Sequence, residues 1–550
     1  MKKTISLLLA LLLLCSLLTG CTGGKSSTAL GIMQKYNTAL PQDIDDNYRS
    51  YYEVFVYSFY DSDGDGIGDL AGLTSRLDYI NDGDPATDTD LGCTGIWLMP
   101  IMPSPSYHKY DVTNYLDIDP AYGTLDDFKT FLEEAHRRGI NVIIDFVMNH
   151  TSEQHPWFIE AADYLRGLPK GAEPDPDACP YVDYYNFSLT PSTCKLEGTD
   201  WYYEAPFWSG MPDLNLRSEA VRSELEDVVD FWLDLGVDGF RLDAAKEFVS
   251  DNTQANTEIL TWFNNMVKGK KPDAFIVAEV WTPLYTYAQY YASGVSCFNF
   301  DFGDSSGVIS STVKHTGGRT ASSYGRAIVN LQNALSEYNP DYIDAPFYTN
   351  HDTGRAAGHY FNDYALYQTK MAQALNLLMS GSTFLYYGEE LGMKGSGRDE
   401  NKRAPMYWSD NANFPGLCAG PTDMESFEMK FPGYEDQLAD GDSIYHFVVQ
   451  AIRLRSAWPA IARGTAAFEE ALSNDNICVL RKTWGGDEVL LVFNISETAE
   501  SVDLSGVTVA GGKPAIGGVL VSTAEEPALT DGILTLPMYS VVVLHGGAPA

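Results

Sequence analysis

The stretch Gly236-Val237-Asp238-Gly239-Phe240-Arg241-Leu242-Asp243-Ala244-Ala245-Lys246 decides how the rest of the chain is interpreted. Apolar and polar residues alternate in it, which predicts a short strand with charged residues at its carboxyl end. Charged side chains are seldom buried without a partner, and in a (β/α)₈ barrel the catalytic groups converge on the carboxyl ends of the strands. We therefore interpret Asp243 as a catalytic carboxylate. Arg241 lies two residues earlier and faces the same way, so its guanidinium can keep that carboxylate ionised.

A simpler alternative is that Arg241 and Asp243 form a structural ion pair between a strand and a loop. The flanking chain favours catalysis, because strands and helices alternate along it. Strands are predicted at 52–59, 94–100, 141–147, 237–242, 274–280, 295–300, 342–349 and 383–387, and helices at 70–80, 125–138, 218–235 and 256–267. Eight strands separated by helices predict an α/β fold, a parallel (β/α)₈ TIM barrel. An open doubly wound sheet is the alternative, and no glycine-rich phosphate loop supports it.

The length of 550 residues exceeds one compact core, so further domains are expected. Residues 151–215 are rich in Tyr, Pro, Trp and Asp with no clear helix, and we interpret them as an insertion domain after the third strand. Short alternating apolar runs predict a C-terminal antiparallel β-sandwich at 465–550. The barrel then comprises residues 45–150 and 216–464.

The first residues resemble a bacterial lipoprotein signal rather than part of a fold. Lys2 and Lys3 precede an apolar run at 5–14 that is too short to span a bilayer, and Leu18-Thr19-Gly20-Cys21 follows. The resemblance implies removal of residues 1–20 and lipidation of Cys21, with 21–44 as a flexible tether. We therefore expect a protein on the extracellular face of a bacterial cell membrane, held there by its N-terminal lipid only. The alternative is an ordinary secreted protein with a chance cysteine.

The other cysteines show no C-x-x-C pair, which argues against a thiolate zinc site. Cys179 and Cys194 lie in one loop-like region and could form a disulfide in an exported protein. Cys93, Cys297 and Cys478 lie in apolar runs and are expected to be buried thiols.

The balance of 36 Lys and Arg against 75 Asp and Glu gives a formal net charge of −39. Such a charge argues against nucleic acid and acidic polymers as partners and leaves neutral substrates open. Aromatic residues make up 13% of the chain, and their rings could fill cores or stack on sugars.

The segment 61–69 has oxygen-bearing residues at every second position around glycines, an arrangement that suits calcium. It matches the first nine positions of an EF-hand loop, but the twelfth position is Gly72, so an EF-hand is not expected. An acidic turn without a cation is the alternative; repulsion between its carboxylates argues against it. The predicted calcium ligands are Asp61, Asp63, Asp65, Ile67 and Asp69.

Several other predicted strands also end in polar groups, namely Asp145 with Asn149-His150, Glu279, and Asn350-His351-Asp352. Glu279 is flanked by Val280 and Trp281, so its pKa is expected to be raised, which suits a proton donor. A buried hydrogen-bonded acid is the simpler alternative. With Asp243 as nucleophile, the pair has the division of labour of a retaining glycosidase, whose carboxyl groups lie about 5 Å apart. A zinc site is the competing explanation, but these residues lack the spacing of H-E-x-x-H.

In the same order along the chain, 145–150, 239–246, 278–281 and 350–352 resemble the four motif regions of the α-amylase family of glycoside hydrolases. Gly95 to Pro100, Met211-Pro212-Asp213-Leu214-Asn215 and 381–390 resemble its accessory motifs. The resemblance covers nearly all of the mature chain. It implies Asp243 as nucleophile, Glu279 as acid/base and Asp352 as the carboxylate that orients the sugar hydroxyls. It also implies substrate contacts from Arg241, His150, His351 and the stacking Tyr110.

Finer resemblances address the substrate. Lys246 matches a lysine on the leaving-group side in α-amylases, and Ala244 fits a preference for α-1,4 bonds. Met211 to Asn215 resembles a group between oligo-1,6-glucosidases and neopullulanases, and the 61–69 loop resembles the calcium loop of the former. Many α-amylases have a histidine at the position of Glu247, and that histidine helps form the family's calcium site between barrel and insertion, together with the residue matching Asn149. Glu247 replaces it here, so a second calcium is not expected. Asp111 and Arg403 resemble the pair that closes the pocket of exo-acting relatives.

These observations predict a calcium-binding, monomeric, lipid-anchored α-amylase that cleaves α-1,4 bonds in α-glucan polysaccharides and oligosaccharides with retention. The alternatives are an exo-acting α-glucosidase, a neopullulanase-like or transglycosylating enzyme, and a catalytically silent glycan-binding or membrane-protein chaperone subunit on the same fold.

Overall fold

The computed structural model describes residues 29–36 and 44–546. The predicted signal at 1–20 and Cys21 lie outside the described residues. The strands are β1 Ser50–Val54, β2 Gly95–Leu98, β3 Asn141–Phe146, β4 Cys194–Lys195, β5 Tyr202–Tyr203, β6 Gly239–Leu242, β7 Phe275–Ala278, β8 Ser296–Cys297, β9 Thr383–Tyr386, β10 Thr465–Phe468, β11 Ile477–Trp484, β12 Asp487–Asn494, β13 Glu500–Asp503, β14 Pro514–Leu520, β15 Ala528–Thr530, β16 Ile533–Leu536 and β17 Ser540–Gly546.

The α-helices are α1 Ala29–Lys35, α2 Leu70–Ser75, α3 Leu77–Ile80, α4 Leu125–Arg137, α5 Pro156–Gly167, α6 Glu219–Leu235, α7 Thr253–Lys270, α8 Leu284–Tyr290, α9 Val308–Val313, α10 Ala321–Tyr338, α11 Ala365–Leu377, α12 Asp399–Lys402, α13 Tyr434–Ala439, α14 Ile444–Ala457 and α15 Pro459–Arg463. Single 3₁₀ turns occur at Val56–Ser58, Pro180–Asp183, Tyr291–Ser293, Ala356–His359, Glu389–Leu391 and Glu470–Leu472.

Seven strands form one parallel sheet in the order β8-β7-β6-β3-β2-β1-β9. The segment 345–347 lies between its two ends and bridges them in parallel, Ala345 pairing with Phe298 and Phe347 with Phe384. The sheet is thereby closed, and the predicted TIM barrel is confirmed. The predicted seventh strand is reduced to these bridges, and the first ends at Val54, earlier than predicted.

Side-chain alternation along the strands divides the barrel interior into two layers. The lower layer is apolar and consists of Tyr51, Trp97, Ile143, Phe275, Val277, Phe298, Phe300, Ala345, Phe347 and Phe384. Two residues further along their strands, on the same inward face, come Glu53, Asp145 and Glu279, beside Arg241 of β6. Strand pairing sets Asp145 directly opposite Arg241. The two-residue period of side chains along the strands therefore places a layer of charged groups directly above the apolar layer.

The insertion between β3 and α6 contains a helix, α5, that is not expected from its sequence pattern. The side chain of His155 caps α5 by accepting a hydrogen bond from the Trp157 N–H, and Pro156 occupies the first turn. The buried face of α5 consists of Phe158, Ala161, Ala162 and Leu165. Aromatic composition alone therefore hid a regular amphipathic helix.

The cysteines of the described residues are free thiols, so the disulfide considered between Cys179 and Cys194 is not formed. Cys93, Cys297 and Cys478 are buried, as predicted.

The C-terminal region packs two antiparallel sheets face to face, with orders β10-β11-β12-β17-β14 and β13-β16-β15. Alternate residues of both sheets, including Val479, Val492, Val502 and Leu534, fill the space between them. This is the predicted β-sandwich.

Part of the predicted tether is ordered. Residues 29–35 form helix α1, in which Met33 is buried, so flexibility is not the right description for them. Burial of an apolar face holds this short helix in place. Within the described residues, no helix is long and apolar enough to cross a membrane.

Candidate active site

A cavity of about 550 Å³ opens at the carboxyl ends of the barrel strands, where the insertion domain meets the barrel. It contains predicted site residues from four different strand ends and from two loops. Its lining consists of His108, Tyr110, His150, Phe207, Trp208, Met211, Asp243, Ala244, Lys246, Glu247, Glu279, Trp281, Asp352, Asp399 and Arg403. This position is where TIM barrels place their catalytic groups.

Arg241 is the centre of the charged layer and is fully buried beneath the cavity. Its Nη1 donates to Asp243 Oδ1 at 2.7 Å and to both oxygens of Asp145 at 2.9 Å, and its Nη2 donates to Glu279 Oε2 at 2.8 Å. The ring of Trp97 lies beneath it, 5.1 Å from the guanidinium carbon. One cation thus holds three carboxylates, and the predicted contact between Arg241 and Asp243 is present.

Glu279 accepts a hydrogen bond from Nη2 of this guanidinium, whereas Asp243 accepts one from Nη1. Burial raises the pKa of Glu279 to about 7, and the negative charges of Asp243 and Asp352 add to the rise, while Arg241 opposes it. Its Oε2 also accepts a hydrogen bond from the Ala244 N–H at 3.0 Å. A carboxyl group with this pKa keeps its proton near neutrality and can donate it.

Asp352 has the opposite environment. Burial opposes its ionisation, but His351, Arg403 and Arg241 together hold the pKa of Asp352 well below its usual range. Its Oδ2 lies 3.0 Å from His351 Nε2, and its Oδ1 accepts from Arg403 Nη2 at 2.8 Å. Asp352 is therefore a fixed anion at the cavity wall.

His351 is buried and lies between two carboxylates. Its Nδ1 is 2.6 Å from Glu53 Oε1, and contacts with Asp352 and Glu53 overcome the effect of burial and raise the pKa of His351 to about 9. The Tyr110 hydroxyl lies 2.7 Å from His351 Nε2 and donates to Asp145 Oδ2 at 3.0 Å. A positively charged imidazole therefore supports Asp352 from below.

Asp111 and Arg403, which resemble the pocket-closing pair of exo-acting relatives, form no ion pair with each other here. Asp111 Oδ1 accepts hydrogen bonds from the hydroxyls of Ser104, at 2.6 Å, and Ser106, and it does not line the cavity. Arg403 instead contacts Asp352 and donates to the Tyr107 hydroxyl at 3.2 Å. The nearby serine hydroxyls satisfy Asp111 locally, so the gate expected in exo-acting relatives is not closed here.

The remaining predicted residues lie at the cavity wall. His150 is 2% exposed, burial lowers its pKa, and its Nε2 has no hydrogen-bond partner among the described residues. Lys246 is partly exposed, with its Nζ 3.3 Å from Glu247. Behind them Asn149 donates to Asp213 Oδ1 at 3.0 Å; burial, with Glu204 and Glu247 nearby, raises the pKa of Asp213 to about 8.

Several residues of the site were not predicted from the sequence. Glu53 is a lone acid inside an apolar strand, and that pattern could have identified it. His108 lines the cavity, and burial together with Arg403 lowers its pKa to about 4. The exposed rings of Phe207, Trp208 and Trp281 also line the cavity. No local sequence signal distinguishes these rings from aromatic core residues.

The acidic loop lies outside the cavity. Carboxylate oxygens of Asp61, Asp63 and Asp65 lie within 4.8 Å of one another, so they can share one cation. Asp69 is engaged differently, because its carboxylate caps α2 through the Gly72 N–H at 2.7 Å and accepts two hydrogen bonds from Ser62. The carboxylate donors present are those that calcium prefers. Within the described residues the cluster therefore comprises three of the five predicted ligands.

Comparison with known proteins gives the site its context. The sequence model of the α-amylase catalytic domain matches residues 53–464. The chain belongs to the α-amylase family. Among solved structures, Amy13B of Eubacterium rectale is 53% identical with a TM-score of 0.90, and the match covers 94% of this chain and 98% of that one.

Among curated relatives of this family member, α-amylase 3 of Dictyoglomus thermophilum is 36% identical, the match covering 81% of this chain and 84% of the relative. An oligo-1,6-glucosidase of Parageobacillus thermoglucosidasius is 28% identical, with 81% and 89% covered. The family that the sequence motifs resemble is therefore confirmed.

Proposed function

We propose that this family member is an α-amylase, hydrolysing α-1,4 bonds of α-glucans with retention of configuration. The observation that carries the proposal is that one guanidinium, that of Arg241, contacts both Asp243 and Glu279. Burial raises the pKa of Glu279, so that this second carboxyl group can hold a proton. Two carboxyl groups with separate protonation tasks are what a retaining glycosidase needs.

In the first step, an Asp243 carboxylate oxygen attacks the anomeric carbon and the bond to the glycosidic oxygen breaks. Glu279 gives its proton to that oxygen, so the leaving sugar departs neutral. In the second step, Glu279 takes a proton from water, whose oxygen attacks the anomeric carbon and releases Asp243. Asp352, with His351 and Arg403 behind it, is suited to accept hydrogen bonds from the sugar hydroxyls. The negative charges of Asp243 and Asp352 stabilise the positive charge that develops on the sugar ring.

Chain-internal attack is favoured by the shape of the cleft. Arg403 pairs with Asp352 rather than with Asp111, so the Asp111–Arg403 pair that would close the pocket of an exo-acting enzyme is not formed. Exposed rings of Phe207, Trp208 and Trp281 line the same cavity as Lys246, and the ring of Trp281 stacks on Phe300 with centroids 4.5 Å apart. Such rings can support the leaving-group sugars of a long chain. An exo-acting or transglycosylating enzyme is the second candidate, favoured by the oligo-1,6-glucosidase relative.

Product analysis over time on amylose and maltotriose tests this proposal. We expect early α-anomeric maltooligosaccharides and a rapid fall in polymer length. Glucose as the sole early product, with polymer length unchanged, would instead identify the exo-acting enzyme. Asp243→Asn is the matched control: it should reduce kcat by at least about 10⁴-fold while leaving maltooligosaccharide binding in place. No cleavage by the parent chain would support the silent glycan-binding alternative.

We further propose calcium in the acidic loop. The gathered carboxylates of Asp61, Asp63 and Asp65 support it, and Ile67 and Asp69 remain predicted ligands from the sequence. When bound, the ion would neutralise these carboxylates and brace the loop. The loop contacts a distant segment, because the Asp61 N–H donates to the Gly416 carbonyl at 3.0 Å and the Ala419 N–H to the Gly66 carbonyl at 2.8 Å.

Location is proposed from the sequence alone. The order Leu18-Thr19-Gly20-Cys21 after an apolar run supports lipidation of Cys21 and attachment to the outer face of a bacterial membrane. Labelling with a clickable fatty acid in a bacterial host should mark the chain, and Cys21→Ala should abolish the label. Retention of the label in Cys21→Ala would refute the assignment, and Cys15→Ala is the matched control. We also propose a monomer, which light scattering of the purified chain tests.

A further inference from the structure

Helix α1 is seated on the C-terminal domain. Ile32 and Tyr36 pack against the apolar core between the two sheets, and Met33 is 1% exposed. Lys35 forms an ion pair with Glu526 in the segment after β14. The helix also contacts α14 and β14. Three apolar side chains therefore hold this helix against the C-terminal domain.

This seat lies away from the cavity. Neither α14 nor β14 contributes a residue to the cavity lining. Where the chain enters the barrel, Arg49 Nη1 donates to the carbonyls of Thr94 and Gly139, at 3.0 and 3.1 Å. These residues precede β2 and β3 at their amino ends, and the cavity opens at the opposite ends of the same strands.

The chain between Cys21 and Ala29 is short. Eight residues, even fully extended, span at most about 29 Å. A compact protein of about 500 residues has a diameter of roughly 60 Å, by the scaling of radius of gyration with length. A lipid on Cys21 therefore cannot reach a membrane unless the surface around α1 is turned toward it.

We propose that the C-terminal domain, around α1 and β14, is the face that this protein turns toward a lipid bilayer, with the mouth of the cavity directed away. The inference rests on the proposed lipidation of Cys21. The net charge of −39 opposes adhesion to anionic lipids, so the short link and the seated helix set the orientation. Soluble glucan chains would then reach the cleft from the side facing the medium.

Energy transfer to acceptor lipids tests the orientation. The lipoprotein, made with its leader and with the Cys21 lipid verified by mass spectrometry, is reconstituted in neutral phosphatidylcholine vesicles. A donor dye is attached through a genetically encoded ketone in place of Lys513, beside β14, or of Glu153 in the insertion domain. Glu153 is exposed, and its N–H donates to the carbonyl of Gly210, which lies between the cavity residues Trp208 and Met211. We expect at least several-fold higher transfer efficiency from position 513 than from position 153.

Two variants isolate the cause. Inserting about twenty Gly and Ser residues between residues 28 and 29 keeps α1 seated but lengthens the link, and should bring the two efficiencies together. Ile32→Asp with Met33→Asp should do the same by unseating α1, while amylose cleavage in solution is unchanged. Equal transfer from both positions in the verified lipoprotein would refute the orientation alone. Absence of lipid on Cys21 would refute lipidation and with it this inference.

Discussion

Arg403 donates to Asp352 Oδ1 at 2.8 Å, on the other side of that carboxylate from His351. Two cationic groups from different parts of the chain thus hold one acid as an anion in a partly buried place. Arg403 therefore does not pair with Asp111, whose carboxylate accepts hydrogen bonds from two serine hydroxyls instead. The contact with Arg403 helps to keep Asp352 ionised, and it leaves the cleft without the pair that closes the pocket of exo-acting relatives.

The first prediction concerns this partnership. Arg403→Ala should lower kcat/KM by about 10²-fold and shift the acidic limb of activity to higher pH, because Asp352 loses a cation that depresses its pKa. Combining Arg403→Ala with Asp111→Ala should give additive effects, with a coupling energy below about 0.5 kcal/mol. A double-mutant cycle on kcat/KM measures this. A coupling energy above about 1 kcal/mol would show that Arg403 and Asp111 interact, as the closed pair of exo-acting relatives does.

The second prediction concerns Glu279. Its pKa of about 7 means that the proton required for cleavage is lost as pH rises through that value, so kcat/KM should fall above neutrality. Glu279→Gln should reduce turnover of maltooligosaccharides by about 10²–10⁴-fold and abolish this limb. An aryl glycoside whose leaving group needs no proton should be much less affected in its first step. Equal losses on both substrates would contradict the assignment as acid.

The third prediction is a pH dependence of stability. The folded protein raises the pKa of His351 to about 9 from an ordinary 6.5, so it binds this proton more tightly than the unfolded chain does. That contribution is fully present below pH 6.5 and is lost as pH rises through 9. It amounts to about 3 kcal/mol of unfolding free energy. We expect the free energy of unfolding, measured with denaturant at pH 6 and pH 9.5, to decline less in His351→Gln than in the parent.

The fourth prediction concerns the acidic loop. Chelator should lower the Tm, since an ion at about 100 times its Kd adds about 2.7 kcal/mol to the folded state. Asp63→Asn with Asp65→Asn should remove the calcium dependence of the Tm. Asp84→Asn, in another acidic loop, is the matched control and should keep it. An unchanged Tm of the parent in excess chelator would argue against the calcium site.

The fifth prediction concerns the exposed aromatic wall. Trp281→Ala should raise KM for maltohexaose by about tenfold, because a stacked ring that can support the leaving-group sugars is lost. KM for a short aryl glycoside, which does not reach this wall, should change little. Parallel changes on both substrates would show that the substitution disturbs Glu279 instead.

The sequence by itself determined the barrel, the C-terminal sandwich and the carboxylates Asp243, Glu279 and Asp352 as candidates, because period-two alternation and charged strand ends are local patterns. It missed helix α5, whose aromatic residues conceal a helical face. Only the tertiary structure decided that Glu53 supports His351, that Arg403 chooses Asp352 over Asp111, and that Phe207 and Trp281 face one cavity. These contacts join residues that are far apart in the chain. Only the folded arrangement brings the possible partners of each residue together, and competition among those partners then decides which contacts form.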